Sequence, residues 1–315
     1  MKVVRPELSV IIPVSEQPRV HPVEALYTDY QQRIAATGLS YEFIYVLDGS
    51  FKKVYKALCA LREKGENITI IRLARWHGES TALTAGFEQA KGERILTLPP
   101  FYQVDGAAIT ELIQSAPPAD MVIVRRWPRS DSLINRLQTR AFHLILKWIL
   151  GVDFHDLGCS IRLFNRRILE KVSIYGDQHR FLPILAHRYG YKVREVPLAQ
   201  SKQDIYQKLY PMGVYSRRLL DLLSIFFLVK FTRKPLRFFG LTGLSSLLAG
   251  GIYTGYLVFQ RLYMGVALAD RPALLLGLLL IVLGIQLFAI GLVGELIIFT
   301  HAREQREYTI EQIVN

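Results

Sequence analysis

Two short stretches carry side chains suited to a charged, polar ligand. In YEFIYVLDGS an apolar run ends on Asp48, and a carboxylate just beyond a buried strand is well placed to accept a hydrogen bond from an N–H or a hydroxyl. In RLARWHGES, Arg75 follows another apolar run and precedes Gly78, which opens a helical stretch. A guanidinium beside the free N–H groups of a helix start makes a diphosphate site. Each has a plainer reading: Asp48-Gly49-Ser50 as a turn with a helix cap, Arg75 as a surface residue at an ordinary helix start, His77 as a structural histidine. No G-x-G-x-x-G follows the first apolar run and no Walker A sequence occurs, which argues against a dinucleotide oxidoreductase and a P-loop NTPase.

The elements that must position these residues follow from apolar runs. Leu8 to Val14, Tyr41 to Leu47, Ile68 to Leu73, Arg94 to Leu98 and Asp120 to Val124 are near-continuous apolar segments, as strands covered on both faces require. Pro22 to Thr37, Phe51 to Lys64, Glu79 to Lys91 and Gly106 to Ser115 have helical length and composition. Strand and helix in alternation predict a doubly wound, mostly parallel α/β sheet, whose ligand site lies beyond the carboxyl ends of the strands. The loops after Val14, Leu47, Leu73 and Leu98 are therefore the ones to watch.

The 315 residues carry 39 Lys plus Arg against 27 Asp plus Glu, a formal charge of +12, yet half are hydrophobic and the mean hydropathy is +0.20. Such a mixture excludes disorder and a small disulfide scaffold, and points to segregation along the chain. Phe238 to Gln260 and Pro272 to Gly294 each carry no formal charge. Each is long enough to cross a hydrocarbon core of about 30 Å at about 1.5 Å per helical residue, and their glycines suit close helix contact in lipid. Eight basic residues from Lys202 to Arg237 face only Asp204 and Asp221, and Arg303 and Arg306 follow the second run. The positive-inside rule then puts both termini in the cytoplasm. The basic excess beside the spans favours an anionic lipid surface over nucleic acid as partner. Leu133 to Leu150 and Tyr215 to Lys230 read as basic amphipathic helices in the headgroup plane, or as core helices with their cations in water. Cys59 and Cys159 are expected to be reduced and structural.

The order LSVIIPV, YEFIYVLDGS, RLARWHGESTALTAGFEQAKGERIL, HDLGCSIRLFNRRIL, QHRFLPILAHRYGYKVREVPL, then a basic stretch, KPLRFFG and two spans, resembles the family 2 glycosyltransferases that act on polyprenyl (dolichyl or undecaprenyl) phosphate. The resemblance covers essentially the whole chain. It implies an α/β GT-A fold (Rossmann-like, mostly parallel sheet) over residues 1–200, juxtamembrane basic amphipathic helices over 201–237, a two-helix transmembrane hairpin over 238–300 and a cytoplasmic tail over 301–315. It also implies inverting transfer of a sugar from a nucleotide-sugar to polyprenyl phosphate at the cytoplasmic face of a bacterial inner membrane. Homo-oligomerisation stays open. By family position, Pro13, Asp48, Arg75, Gln103 and Asp105 fall on the donor side. Asp156 matches the D-x-G acid taken as base, or as orienter of an already ionised phosphate, with Arg162 and Arg180 as basic companions. Lys202, Lys208 and Tyr210 fall on the acceptor phosphate, in a blurred form of the family's S-K-Y motif.

The sequence departs from the family at two points. Leu47 replaces the first of the two acids usual beside Asp48, which alters base recognition. The D-x-D whose last acid holds Mg²⁺ or Mn²⁺ is absent: Pro99, Pro100 and Phe101 stand there, and Asp105 is the nearest carboxylate. Three readings follow. Cations replace the metal, so that no cofactor is expected; Asp105 is a displaced ligand for a divalent metal; or the chain is a catalytically degenerate, membrane-anchored nucleotide-sugar binder or assembly partner.

Overall fold

The computed structural model describes residues 5–15, 21–128, 147, 151, 154–172, 178–204, 235–265 and 272–301. Most of the expected helix at 133–150, most of the basic stretch at 201–237 and the tail beyond residue 301 lie outside the described residues. The chain divides into two compact units, Met1–Leu222 with Tyr308–Asn315, and Leu223–Glu307.

The first unit alternates strand and helix: β1 (Leu8–Val14), α1 (Val23–Ala35), β2 (Tyr41–Asp48), α2 (Lys52–Glu63), β3 (Ile68–Leu73), α3 (Glu79–Gln89), β4 (Arg94–Thr97), α4 (Ala107–Gln114) and β5 (Met121–Arg126). Then come β6 (Arg162–Asn165), α5 (Arg167–Lys171), a 3₁₀ turn (Gln178–Phe181), α6 (Leu182–Arg188) and β7 (Val193–Leu198). The strands form one sheet in the order β3-β2-β1-β4-β6-β5-β7. All are parallel except β6, which runs antiparallel to β4 and β5. This is the mostly parallel α/β sheet expected, with β6 and β7 added to the five strands the apolar runs disclose. β6 is four residues long and begins on an arginine, so it offers little periodicity to detect.

Alternation along each strand sorts the core into two layers. Val10, Ile12, Phe43, Tyr45, Leu96 and Val124 pack with Leu26, Tyr30 and Ile34 of α1 and Ile109 and Leu112 of α4. On the other face α3 lies so close to the sheet that a Cβ on Gly86 would stand 2.6 Å from Ile11 Cγ2 and 3.1 Å from Val46 Cγ2. α3 carries the loop after β3 into the site, so this contact fixes the height of that loop's anchor.

The second unit is two long helices, α7 (Pro235–Met264) and α8 (Pro272–His301), each apolar and long enough to cross a membrane. They pack through glycine. A Cβ on Gly243 would meet Gly284 O at 2.7 Å, and one on Gly250 would meet Gly277 O at 2.8 Å. Gly277, Gly284 and Gly291 recur every seventh residue, the repeat that keeps one seam facing a partner helix. Ser246 Oγ donates to Leu280 O across the seam at 2.8 Å, and Glu295 accepts the free N–H of Leu236 at the start of α7.

Gly86→Leu should lower the stability of the first unit by about 1–3 kcal/mol through overpacking. Gly251→Ala, at a helix position open on all sides, should leave it unchanged. Thermal unfolding of the two detergent-solubilised variants followed by circular dichroism checks the contrast; equal melting temperatures would remove the close approach of α3 to the sheet.

Candidate functional site

Parallel pairing brings the carboxyl ends of β1 to β5 and β7 to one edge of the sheet. Antiparallel β6 starts at that edge, with Arg162 opposite Thr97 in register. Asp48, Arg75, residues 99–105, Arg126, the loop leading to Arg162 and residues 199–204 therefore collect along the edge where the sequence expected a ligand.

Asp48 ends β2 opposite Leu73 of β3 and is 1% exposed. Its carboxylate accepts the backbone N–H of His77 at Oδ1 and of Gly78 at Oδ2, both at 2.7 Å. Gly78 has φ +98°, a left-handed conformation that a side chain would strain, and it caps α3. Asp48 is thus a cap, but of the helix one strand further on, and it clasps the loop of Arg75 to the end of β2. Arg75 is exposed on that loop. Pro13 is a buried residue inside β1, opposite Val46.

Beyond β4, Phe101 turns inward and is 6% exposed. The buried Tyr30 hydroxyl lies within reach of the carbonyls of Pro99 and Phe101, at 3.3 and 3.2 Å, so backbone oxygens as well as side chains are engaged there. Gln103 is buried, and its Oε1 accepts the N–H of Ser160 at 2.9 Å and the Cys159 thiol at 3.4 Å. Its own carbonyl accepts the N–H of Ser201 at 3.1 Å, so Gln103 ties three loops together. Asp105 is exposed, its N–H bound to Ala199 O. No group of three or more His, Cys, Asp or Glu side chains converges among the described residues. The side-chain ligand that the resembled family offers the ion is replaced by Pro99, Pro100 and Phe101, and exposed Asp105 is the carboxylate nearest in sequence.

The carboxylate expected on the acceptor side is 3% exposed and held in a buried ion network. Asp156 receives Arg126 Nε at 2.8 Å and Nη2 at 2.9 Å, while Arg126 Nη1 reaches Asp204 Oδ2 at 3.2 Å. Burial works against the charge of Arg126, but Asp156 beside it, with Asp204, holds its pKa well above the usual range. Gly158 lies against the pair, a Cβ there coming 3.3 Å from Arg126 Nη2 and 3.4 Å from Asp156 Oδ1. Glu195 of β7 accepts the N–H groups of His155 and Asp156 at 2.9 and 3.0 Å and fixes the entry to the same loop.

Arg162 is also buried, its guanidinium donating to the carbonyls of His179 and Cys159. The His179 ring bridges Ser80 Oγ and Glu79 Oε2, both at 3.2 Å, joining the 3₁₀ turn to the start of α3. Burial alone would raise the Glu79 carboxyl, but His179, helped by Arg180 and Arg162, outweighs it and holds the pKa at about 2. Arg180 is half-buried at this cluster, and Lys202 is exposed beside Asp204 in sequence. Lys208 and Tyr210 lie outside the described residues.

The structure thus brings Asp48, Arg75, Gln103, Asp156, Arg162 and Arg180 to one edge and gives Asp156, Gln103 and Arg162 buried partners. Asp204, Glu195, Glu79 and His179 emerge only from the fold, as does the pairing of Arg126 with Asp156. The tandem Arg125-Arg126 after an apolar strand already marks Arg126 in the sequence as a basic residue for this edge.

Residues 9–173 match the model of glycosyl transferase family 2, and the chain belongs to that family. It is 27% identical to the dodecaprenyl-phosphate galacturonate synthase of Rhizobium johnstonii, over 98% of this chain and 93% of that protein. It is 31% identical to the undecaprenyl-phosphate 4-deoxy-4-formamido-L-arabinose transferase of Pseudomonas aeruginosa, over 98% of this chain and 90% of that protein. The fold is shared with glucosyl-3-phosphoglycerate synthase of Mycobacterium tuberculosis, solved with Mg²⁺ and uridine diphosphate, at TM-score 0.52 and 13% identity over 71% of this chain and 80% of that one. The first unit is a GT-A-like α/β domain, and the chain is a glycosyltransferase.

Arg126→Ala should destabilise the first unit by about 3–5 kcal/mol, because it strands two buried carboxylates. Chemical denaturation read by circular dichroism measures this; a loss under about 1 kcal/mol would show that the pair is solvated. Burial pushes the Cys159 thiol up to about 12, so it stays protonated at pH 8, whereas Cys59 is only half-buried. Iodoacetamide should therefore modify Cys59 in the native protein and reach Cys159 only on unfolding, as peptide mass spectrometry can read.

Proposed function

We propose that this chain transfers a sugar from a nucleotide-sugar to a polyprenyl phosphate at the cytoplasmic face of a membrane, inverting the anomeric centre. The observation that carries this reading is continuity. The family domain and two apolar helices of 30 residues belong to one chain, and its similarity to two relatives named for polyprenyl-phosphate acceptors spans 98% of it. An isoprenoid substrate needs an enzyme docked on the bilayer, and the basic residues flanking the helices support an orientation with both termini on the cytoplasmic side.

In the proposed step an oxygen of the lipid phosphate attacks the anomeric carbon on the face opposite the nucleotide. The bond from that carbon to the diphosphate breaks, and its electron pair leaves with the nucleoside diphosphate. A phosphate monoester with a second pKa of about 6 is largely ionised at neutral pH, so the attack needs orientation more than a base. Asp156, paired with Arg126, suits that role: it is a positioning residue that holds the acceptor loop. Charge builds on the leaving diphosphate, and a fixed guanidinium can grip two of its oxygens. Exposed Arg75 and half-buried Arg180 are assigned to it, with Arg162 stiffening the turn that carries Arg180. Lys202, with Lys208 and Tyr210, is assigned to the acceptor phosphate. The buried Phe101, and the carbonyls of Pro99 and Phe101 engaged by Tyr30, support neutralisation by these cations.

The test is lipid-linked product from purified protein over a panel of nucleotide-sugars with a short polyprenyl phosphate, in EDTA and in added Mg²⁺ or Mn²⁺. Turnover should survive EDTA, and Arg75→Ala should lower kcat by about 100-fold. Strict metal dependence would move charge neutralisation to a metal held by Asp105. Nucleotide-sugar binding without product from any donor would favour the non-catalytic binder, which the loss of the D-x-D acids also fits.

A further inference from the structure

Among the described residues of the first unit, two large apolar side chains are exposed: Trp76 at 67% and Trp127 at 54%. Both stand beyond the carboxyl end of a strand, at the edge that forms the site. Their surroundings differ. The guanidinium of Arg125 lies over the Trp127 ring at 4.8 Å, whereas no described ring or cation covers Trp76.

The backbone that carries Trp76 is also fixed in place. Leu73, three residues before it, is paired with Asp48, and the N–H groups of the two residues after it are both held by the Asp48 carboxylate. Gly49, at φ +117°, lets the two loops close on each other: a Cβ there would stand 3.9 Å from Trp76 Cβ. An indole two-thirds exposed on a loop whose backbone is held offers most of its face for stacking. The groups that would read a nucleobase by its edge are closed off at the same place. Leu47 has no polar atom on its side chain and is 1% exposed, and both oxygens of Asp48 already accept amides under the loop. Edge reading is lost where a face for stacking is provided.

We infer that Trp76 is the base-recognition residue of the donor site, stacking on the nucleobase of the nucleoside diphosphate, and that this protein therefore discriminates weakly among bases. Every base offers a π-face, so a stacking platform tolerates what a hydrogen-bonding carboxylate would refuse. The inference rests on the nucleotide-sugar reading of the site.

Isothermal titration of the full-length, detergent-solubilised protein with UDP, GDP and pyrophosphate tests it. UDP and GDP should bind within about threefold of each other, and Trp76→Ala should weaken both by about tenfold. Trp76→Phe should restore most of the affinity, and pyrophosphate, which has no base, should bind all three proteins alike. UDP bound by Trp76→Ala as tightly as by wild type would overturn the inference and leave the nucleotide-sugar reading intact, as would a strong preference for one base that survives the substitution. Wild type that binds neither nucleotide would overturn both. Quenching of Trp76 by brominated lipid in a Trp127→Phe/Trp148→Phe protein, with nucleotide affinity indifferent to Trp76→Ala, would assign the indole to the bilayer instead.

Discussion

A guanidinium with 3% of its surface exposed stays in a protein interior only if carboxylates and carbonyls replace the water it gives up, and Arg126 meets that condition from two directions at once. Asp156 takes it in a two-point grip from the loop before β6, and Asp204 takes a third nitrogen from the turn after β7. Each of these acids would be as costly to bury alone as the arginine. The loop, the end of β5 and the turn after β7 therefore order together or not at all. Gln103 extends the lock to the segment after β4 through Ser160 and Ser201, and Glu195 extends it to His155. Half of the site edge depends on one buried charge.

The other half depends on Asp48, by the same physics in a milder form. One carboxylate satisfies two amides that no helix or strand would otherwise use, and so welds the end of β2 to the start of α3. His179 closes the ring by joining Glu79 and Ser80 at that helix start to the turn that carries Arg180. Buried ionic groups at the end of a sheet are weak contributors to net stability but strong arbiters of geometry, which is what an edge composed of loops needs most.

What the sequence disclosed follows this division. β1 to β5 and the four helices between them are visible because burial on both faces leaves long apolar runs, and a run is a local property. The edge at which Asp48 and Arg75 gather was legible as well, since parallel strands must present their carboxyl ends together, whereas Asp156, before antiparallel β6, was reached only through the family resemblance. β6 was not, because four residues beginning with arginine look like loop until Thr97 and Ile95 stand opposite them. The partners of Asp156 escaped for a different reason. Arg126 and Asp204 lie 30 and 48 positions away along the chain, and nothing local records that two acids share one guanidinium. A carboxylate in a family motif reads as a reactive group from its letter alone, whereas its lone pairs are committed only by the fold. In the helical pair the glycines were legible as a class, but the seam is settled by which of them face each other: Gly250 meets Gly277, while neighbouring Gly251 faces open space.

The two departures from the family pattern belong to a single electrostatic change. Removing an acid beside Asp48 and the acids after β4 lowers the negative charge of the donor edge, while Arg75 and Arg180 remain there and Arg162 is buried behind the turn that carries Arg180. An edge built around a divalent ion needs carboxylates to hold the ion and then uses the ion to offset the diphosphate. On the proposed reading, an edge without those carboxylates would meet the diphosphate with its arginines directly, and each carboxylate retained near them would compete for the same guanidinium. Of the acids that persist, Asp48, Asp156 and Asp204 are each buried against amides or Arg126, while Asp105 is exposed. Phe101, which stands in place of the family's metal-binding acid, is turned inward and adds no charge to that edge.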